Sequence, residues 1–218
     1  MDEITDLLSQ KRLAKYKGIS KEDAVKCHLY NCELAEAFYS SLYYFEIILR
    51  NKIDLVFSKY LGEDWIMNPK YIVDRNRDNM NSAISHMKDT KKNPTDKNHL
   101  ISELSLGFWV YLFSSAYNSV IWNKHPQLLK EIFDGSKDLS ILYRTFIKLN
   151  RIRIYRNKIF HFGSLLAVTE EEYKPEKIHN LIYKIIKDLN APNLLKQLKS
   201  IDNFNEKYRK GKMLGILK

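Results

Sequence analysis

The stretch 139–162, LSILYRTFIKLNRIRIYRNKIFHF, reads as one long helix, and its reading sets the fold. It contains no Gly, Pro, Asp or Glu, and Gly163, a usual residue just past a helix end, follows it. Advancing about 100° per residue separates its sides. Leu142, Leu149, Ile152, Ile159 and Phe160 fall on one, and Arg144, Lys148, Arg151, Tyr155 and Lys158 fall opposite. An apolar face toward a core and a cationic face toward solvent is the expected result. Arg156 breaks the pattern, because it lies near the middle of the apolar side. Between the two sides runs a strip of Asn150, Ile154, Asn157 and His161, which puts Asn157 and His161 one turn apart on the same face.

The same texture extends in both directions. Ser20 with Glu22 and Asp23 marks a helix start, since a hydroxyl and early acids satisfy free N–H groups, and the pattern runs helical to about Tyr60 and Gly62. Tyr39, Leu42, Ile53 and Phe57 align on one side of it and Tyr44, Ile48 and Leu55 on the other, so this helix is expected to be buried all round. Glu46 and Arg50, four residues apart, interrupt its apolar stripe. A buried ion pair fixing how two helices pack is the plain reading of them. Further helices are expected over Val73–His86, His99–Trp122, Leu128–Phe133 (closed by Gly135) and Glu176–Leu189, with Met87–Asn98 a polar connector. No strand-like alternation and no internal repeat occurs. The fold class is therefore all-α, a helical bundle with additional helices. Its parts are an N-terminal helix and loop (1–20), a helical domain (21–190) and a basic C-terminal tail (191–218).

Composition narrows the function. With 7 Gly and 5 Pro in 218 residues, disordered, collagen-like and turn-rich β classes are excluded. Cys27 and Cys32 form no CxxC pair and no ladder of His at ligand spacing accompanies them, so neither a disulfide framework, a metal site nor a cofactor is expected. The longest apolar run, Phe108–Phe113, is far short of the roughly 18 residues of a membrane helix. With acidic Asp2 and Glu3 at the start, a cytoplasmic protein with no membrane partner is the expectation. The net charge is 36 − 26 = +10, and its location is specific. Residues 139–169 carry +6 with no acid, residues 194–218 carry +5, and the remainder is −1. Arg144, Lys148, Arg151, Arg153 and Lys158 are thus candidate contacts to a phosphate backbone.

Arg156 and His161 carry the chemistry. An inward guanidinium cannot lose its proton, so it needs a carboxylate, backbone carbonyls or a ligand phosphate. His titrates near neutrality and serves as acid or base, and Arg offers a planar fork to a phosphoryl oxygen. With a substrate 2′-hydroxyl, the two suffice for RNA cleavage without metal. Residues five apart on an ideal helix diverge by about 140°, so convergence requires that the helix end near His161 or that a second copy contribute.

The run Arg156-Asn157-Lys158-Ile159-Phe160-His161 resembles the R-x4-H signature of the HEPN superfamily. Its surroundings resemble the Abi-like (abortive-infection) branch: Tyr44-Phe45-Glu46-Ile47-Ile48-Leu49-Arg50-Asn51, Glu103-Leu104-Ser105-Leu106-Gly107-Phe108-Trp109, and Leu149-Asn150-Arg151-Ile152-Arg153, in that order. The resemblance covers about Leu29 to Phe162, within the domain 21–190. It implies a bundle that forms a homodimer, with Arg156 and His161 of both copies lining one cleft. It further implies a metal-independent endoribonuclease acting as a toxin in phage defence, held inactive by an antitoxin that is protein or RNA. Asn157 would orient the imidazole or the phosphate, and Glu46, Arg50 and Asn150 would support the site. Relatives often carry a second His or a Glu soon after the motif His, where this chain has Phe162 and Gly163. Two other readings stay open: a non-catalytic RNA-binding module of the same fold, and an interaction module in which Arg156 is only an ion-pair partner.

The remaining candidates have plainer readings. His28, His86, His99, His125 and His179 show no mutual ligand spacing and read as surface or packing residues. Phe108, Trp109, Tyr111 and Phe113 are dense enough in one segment to be core rather than a stacking platform. Lys88, Lys91 and Lys92 read as a solvated connector, and the basic tail as an RNA or antitoxin contact or a loose end.

Overall fold

A computed structural model describes residues 3–19, 24–133 and 140–217. All regular structure among them is helical. The α-helices are α1 (Glu3–Leu8), α2 (Gln10–Leu13), α3 (Ala24–Glu36), α4 (Tyr39–Leu61), α5 (Asp74–Asp89), α6 (Lys97–Glu103), α7 (Leu106–Tyr111), α8 (Gln127–Ile132), α9 (Ser140–Phe160), α10 (Pro175–Asp188), α11 (Pro192–Ile201) and α12 (Phe204–Met213). The expected helix start at Ser20, Glu22 and Asp23 and the stop at Gly135 lie outside the described residues. The chain divides into two compact units: residues 1–45, 154–185 and 191–218 form the first, and 46–153 with 186–190 the second.

Three expectations are corrected. The helix anticipated up to Tyr60 is two helices, broken at Ala37 and Phe38. The break seats the fully buried Phe38 ring in a cluster of the first unit, 5.1 Å from Tyr155, 5.8 Å from His179 and 5.0 Å from Phe204. Burying that ring outweighs the few hydrogen bonds an unbroken helix would add. Nor is α4 buried all round, since Tyr39, Tyr43 and Leu55 are exposed. The helix anticipated over His99–Trp122 is likewise interrupted, by α6, α7, a 3-10 turn at Ser115–Tyr117 and a π-turn at Asn118–Trp122. Side chains take carbonyls that a continuous helix would have used: Asn76 Nδ2 donates to Phe108 O (3.2 Å) and Trp122 Nε1 to Leu112 O (2.7 Å). Phe108, Trp109 and Phe113 are core, as their density implied, whereas Tyr111 is half-buried with the Arg75 guanidinium over its ring (4.6 Å).

The third correction concerns α9. Its buried stripe is Leu142, Thr145, Leu149, Ile152 and Tyr155, while Phe160 is 46% exposed. Tyr155, expected on the cationic side, is 1% exposed because Phe38 covers it. A real helix face is set by what packs on it, and Tyr presents a large apolar body whatever its polar tip.

The described part of the tail, 191–217, is folded rather than loose. Tyr30 Oη donates to Lys207 O (3.1 Å), Lys210 Nζ pairs with Glu33 (2.6 Å), and Gly211 passes so close to Tyr30 that a Cβ there would lie 2.0 Å from its hydroxyl. Asp202, before α12, accepts from Phe204 N (2.8 Å) and from Tyr183 Oη, and bonds His179 Nε2 (2.7 Å). His179 in turn stacks on Phe204 at 4.0 Å. No described helix is long and apolar enough to cross a membrane.

Candidate functional site

The last turn of α9 closes in a Schellman motif. Gly163 N–H donates to Lys158 O (2.7 Å) and Phe162 N–H to Ile159 O (3.0 Å), with Phe162 in the left-handed region at φ 56°. His161 is therefore the C-cap residue, one past the helix end, and its N–H still takes Asn157 O (2.9 Å). The glycine is not at the left-handed position but one residue later. It is required by close approach: a Cβ on Gly163 would lie 2.6 Å from Lys158 Cγ and 2.9 Å from the Lys158 carbonyl oxygen. Non-glycine φ at Phe162 costs about 1 kcal/mol, which the clamps described next must offset.

The first unit holds the loop after His161 from below. Arg12, between α1 and the 3-10 turn at Ala14–Tyr16, donates from Nη1 to Phe162 O (3.0 Å). Asn31 of α3, 5% exposed, donates from Nδ2 to Gly163 O (3.3 Å) and accepts Leu165 N–H at 2.6 Å. Burial pushes the Tyr16 phenol pKa up, against a hydrogen bond with Ser164 and the charge of Arg12. His28 packs edge-on to Tyr16 at 5.4 Å, and burial, then the Arg12 cation, lowers its pKa. Neither Arg12 nor Asn31 was singled out by the sequence. Nothing in the sequence around either residue hinted at this role.

On this frame the motif residues fall as follows. Arg156 is half-buried, with its guanidinium over the Phe160 ring (4.4 Å to the centroid) and Nη1 3.5 Å from Asn157 Oδ1. His161 is exposed, and its imidazole makes no hydrogen bond among the described residues. Arg156 and Asn157 thus meet through their side chains, while His161 is tied to Asn157 only by the ordinary helical bond of its N–H to the Asn157 carbonyl. Lys158 is half-buried, and burial lowers its ammonium pKa, with Glu170 opposing and Lys15 adding. Around His161 the apolar residues Ile154, Phe160 and Phe162 are exposed, Phe162 at 73%.

The other predicted residues belong to the second unit. Asn150 Oδ1 accepts from Arg153 Nε (3.0 Å), so the supporting Asn and one candidate phosphate contact are tied to each other. Arg144 is exposed, and Lys148 and Arg151 are half-buried. Glu46 and Arg50 are half-buried, and Arg50 Nε is buried with no hydrogen-bond partner among the described residues. No group of three or more His, Cys, Asp or Glu able to hold a metal ion occurs among the described residues. Comparison of the chain with family models, curated proteins and solved structures returns no match.

Proposed function

We propose that the chain is an endoribonuclease of the HEPN superfamily, Abi-like, acting as a toxin of abortive-infection or toxin-antitoxin type. The observation that carries the reading is an exposed imidazole, His161, capping the end of an acid-free cationic helix, with Arg156 and Asn157 joined one turn earlier and the following loop held by Arg12 and Asn31. In this reading His161 is general base toward the 2′-hydroxyl or general acid toward the 5′-oxygen. Arg156 stabilises the charged phosphorane, and Asn157 orients the imidazole or the phosphate. The cations of α9, Arg144, Lys148, Arg151, Arg153 and Lys158, hold the RNA backbone.

The active form is a homodimer. Its support is the exposure of Ile154, Phe160 and Phe162 along the last two turns of α9 and its cap, surface that pairing of two helix ends would cover, with the Arg156 guanidinium over the Phe160 ring. The second copy would supply the second imidazole that Phe162 and Gly163 do not. An antitoxin, protein or RNA, completes a cytoplasmic system.

Growth of cells expressing wild type against His161→Ala is the test. Wild type should arrest growth, and the variant should not while keeping its melting temperature. Cleaved RNA should carry 2′,3′-cyclic phosphate and 5′-hydroxyl ends, equally in chelator. A requirement for added Mg²⁺, or 3′-hydroxyl products, sinks these roles. Binding without cleavage at high protein concentration selects the non-catalytic RNA-binding module instead.

A further inference from the structure

The second unit contains a small cleft that the reading above does not use. It has a volume of about 100 Å³ and is lined by Phe113, Ser115, Asn118, Asn123, Leu142 and Tyr143. Its chemistry is specific. Its polar groups are two carboxamides (Asn118, Asn123) and two hydroxyls (Ser115, Tyr143), and among the described residues no carboxylate, Lys, Arg or His lines it. A neutral ring bearing amide-like donors and acceptors would find partners for its edge among these groups. The cleft is well below the roughly 300–1,000 Å³ of sites for drug-sized ligands, which suits one planar ring system.

Three further features point the same way. First, Asn118 N-terminally and Asn123 C-terminally bound a π-turn, closed by Asn123 N–H to Asn118 O at 2.8 Å. In an α-helix, residues five apart diverge, but an i→i+5 turn brings both amides to one side. Such turns are frequent at functional sites and carry poorer backbone bonding than the helix they replace. Second, Asn118 Oδ1 is buried with no hydrogen-bond partner among the described residues. Turning that amide toward a ligand about its broad χ2 torsion therefore breaks no bond. Third, Tyr143 at the mouth is 68% exposed, so its ring face is open to stacking, and the exposed Arg144 follows it.

We propose that this cleft binds a nucleobase. The ring stacks on Tyr143 above the buried Phe113 floor, Asn118 and Asn123 bond its edge, and Arg144 meets the attached phosphate. The base can come from a free nucleotide or from single-stranded RNA, and the two sources share this recognition. The site is separate from His161 and does not depend on the cleavage reading.

The test uses the full chain carrying His161→Ala, so that no RNA is consumed. Saturation-transfer NMR with the four nucleoside monophosphates, and anisotropy with labelled single-stranded oligoribonucleotides of each base, are run with and without Tyr143→Ala and Asn123→Ala. Loss of one stacked base weakens binding roughly tenfold, so Tyr143→Ala should lower affinity by about that factor for whichever source binds. Asn123→Ala should change the ranking among the four bases. Tyr143 is exposed, so its truncation leaves folding intact, and melting curves check this. Transfer to base protons of free monophosphates that Tyr143→Ala weakens, with no oligomer binding, assigns the free nucleotide, and Tyr143-dependent oligomer binding assigns RNA; both support the cleft, and transfer unchanged by Tyr143→Ala and Asn123→Ala counts against it. Absence of base-proton transfer together with oligomer affinity unchanged by Tyr143→Ala and Asn123→Ala overturns it. Cleavage by the otherwise wild-type chain is scored separately, so a failed cleft and a failed nuclease give different results.

Discussion

Replacing Asn31 by Ala removes the side chain that ties the loop after His161 to α3, and the structure sets the size of the loss. The Leu165 N–H is buried in a residue with no exposed surface and bonds Asn31 Oδ1 at 2.6 Å. Stranding it costs roughly 1–3 kcal/mol. The Gly163 carbonyl, 3.3 Å from Asn31 Nδ2, is half-buried and regains water, so its loss adds at most about 1 kcal/mol. Ala is the better helix former by about 0.6 kcal/mol, which offsets part of this. The net is a destabilisation of about 2 kcal/mol, or a melting temperature lower by about 4–8 °C for a chain of this size.

Calorimetry reads that shift, and hydrogen exchange reads its location, because the Leu165 amide should exchange faster while amides of α12 stay protected. Asn31→Asp separates the two bonds. Its carboxylate still accepts Leu165 N–H but faces the Gly163 carbonyl and is desolvated, so its folded pKa lies above the unfolded value of about 3.9. The deficit against wild type should accordingly be smaller near pH 4, where a protonated carboxyl can donate to Gly163 O, than near pH 8. Melting within about 1 °C of wild type for Asn31→Ala, with Leu165 exchange unchanged, would refute the claim that Asn31 holds the loop behind His161.

Three more perturbations test the frame. Gly163→Ala, which at an open site would stabilise, should here cost about 1–3 kcal/mol in denaturant unfolding, since the new Cβ meets the Lys158 carbonyl oxygen at 2.9 Å and that atom cannot swing away; a more stable variant contradicts the close approach. Gly211→Ala should destabilise by a similar amount despite a gain in helix propensity of about 1 kcal/mol, because its Cβ would lie 2.0 Å from the Tyr30 hydroxyl, and thermal melts give the sign. Acid should loosen the end of the chain. Burial alone would raise the Asp202 pKa, but the bonds from His179, Tyr183 and Phe204 N–H outweigh it and hold the carboxyl below its ordinary value. A folded pKa below the unfolded one makes this stability present above about pH 4 and lost as pH falls further. Exchange at α12 amides should rise in that window for wild type, and Asp202→Asn should remove the step; an acid step unchanged in Asp202→Asn counts against the assignment.

Helices were legible wherever local periodicity and a stop residue agreed, as at α9 before Gly163 and α10 before Pro192, because both signals are read locally along the chain. They were misread where a distant ring decided. Nothing near Phe38 says that Tyr155, His179 and Phe204 will surround it, so the break between α3 and α4 is invisible to any window along the sequence. The same distance hid the reason Tyr155 turns inward.

The candidate site divides along the same line. Arg156, Asn157 and His161 are visible because their spacing is local. Arg12 and Asn31, which reach the loop from 150 and 132 residues away, are not. A side chain that holds a motif from far along the chain leaves no periodic trace, since its own neighbours need only form an ordinary helix. The π-turn at Asn118–Trp122 is the sharpest case: its two amides are aligned by one extra residue per turn, and Asn at positions 118 and 123 reads as divergent in any helical projection drawn from the sequence. Local pattern therefore finds groups that share a face of a regular helix. Sites assembled by an irregular turn or by a remote clamp have to be found in the packed chain.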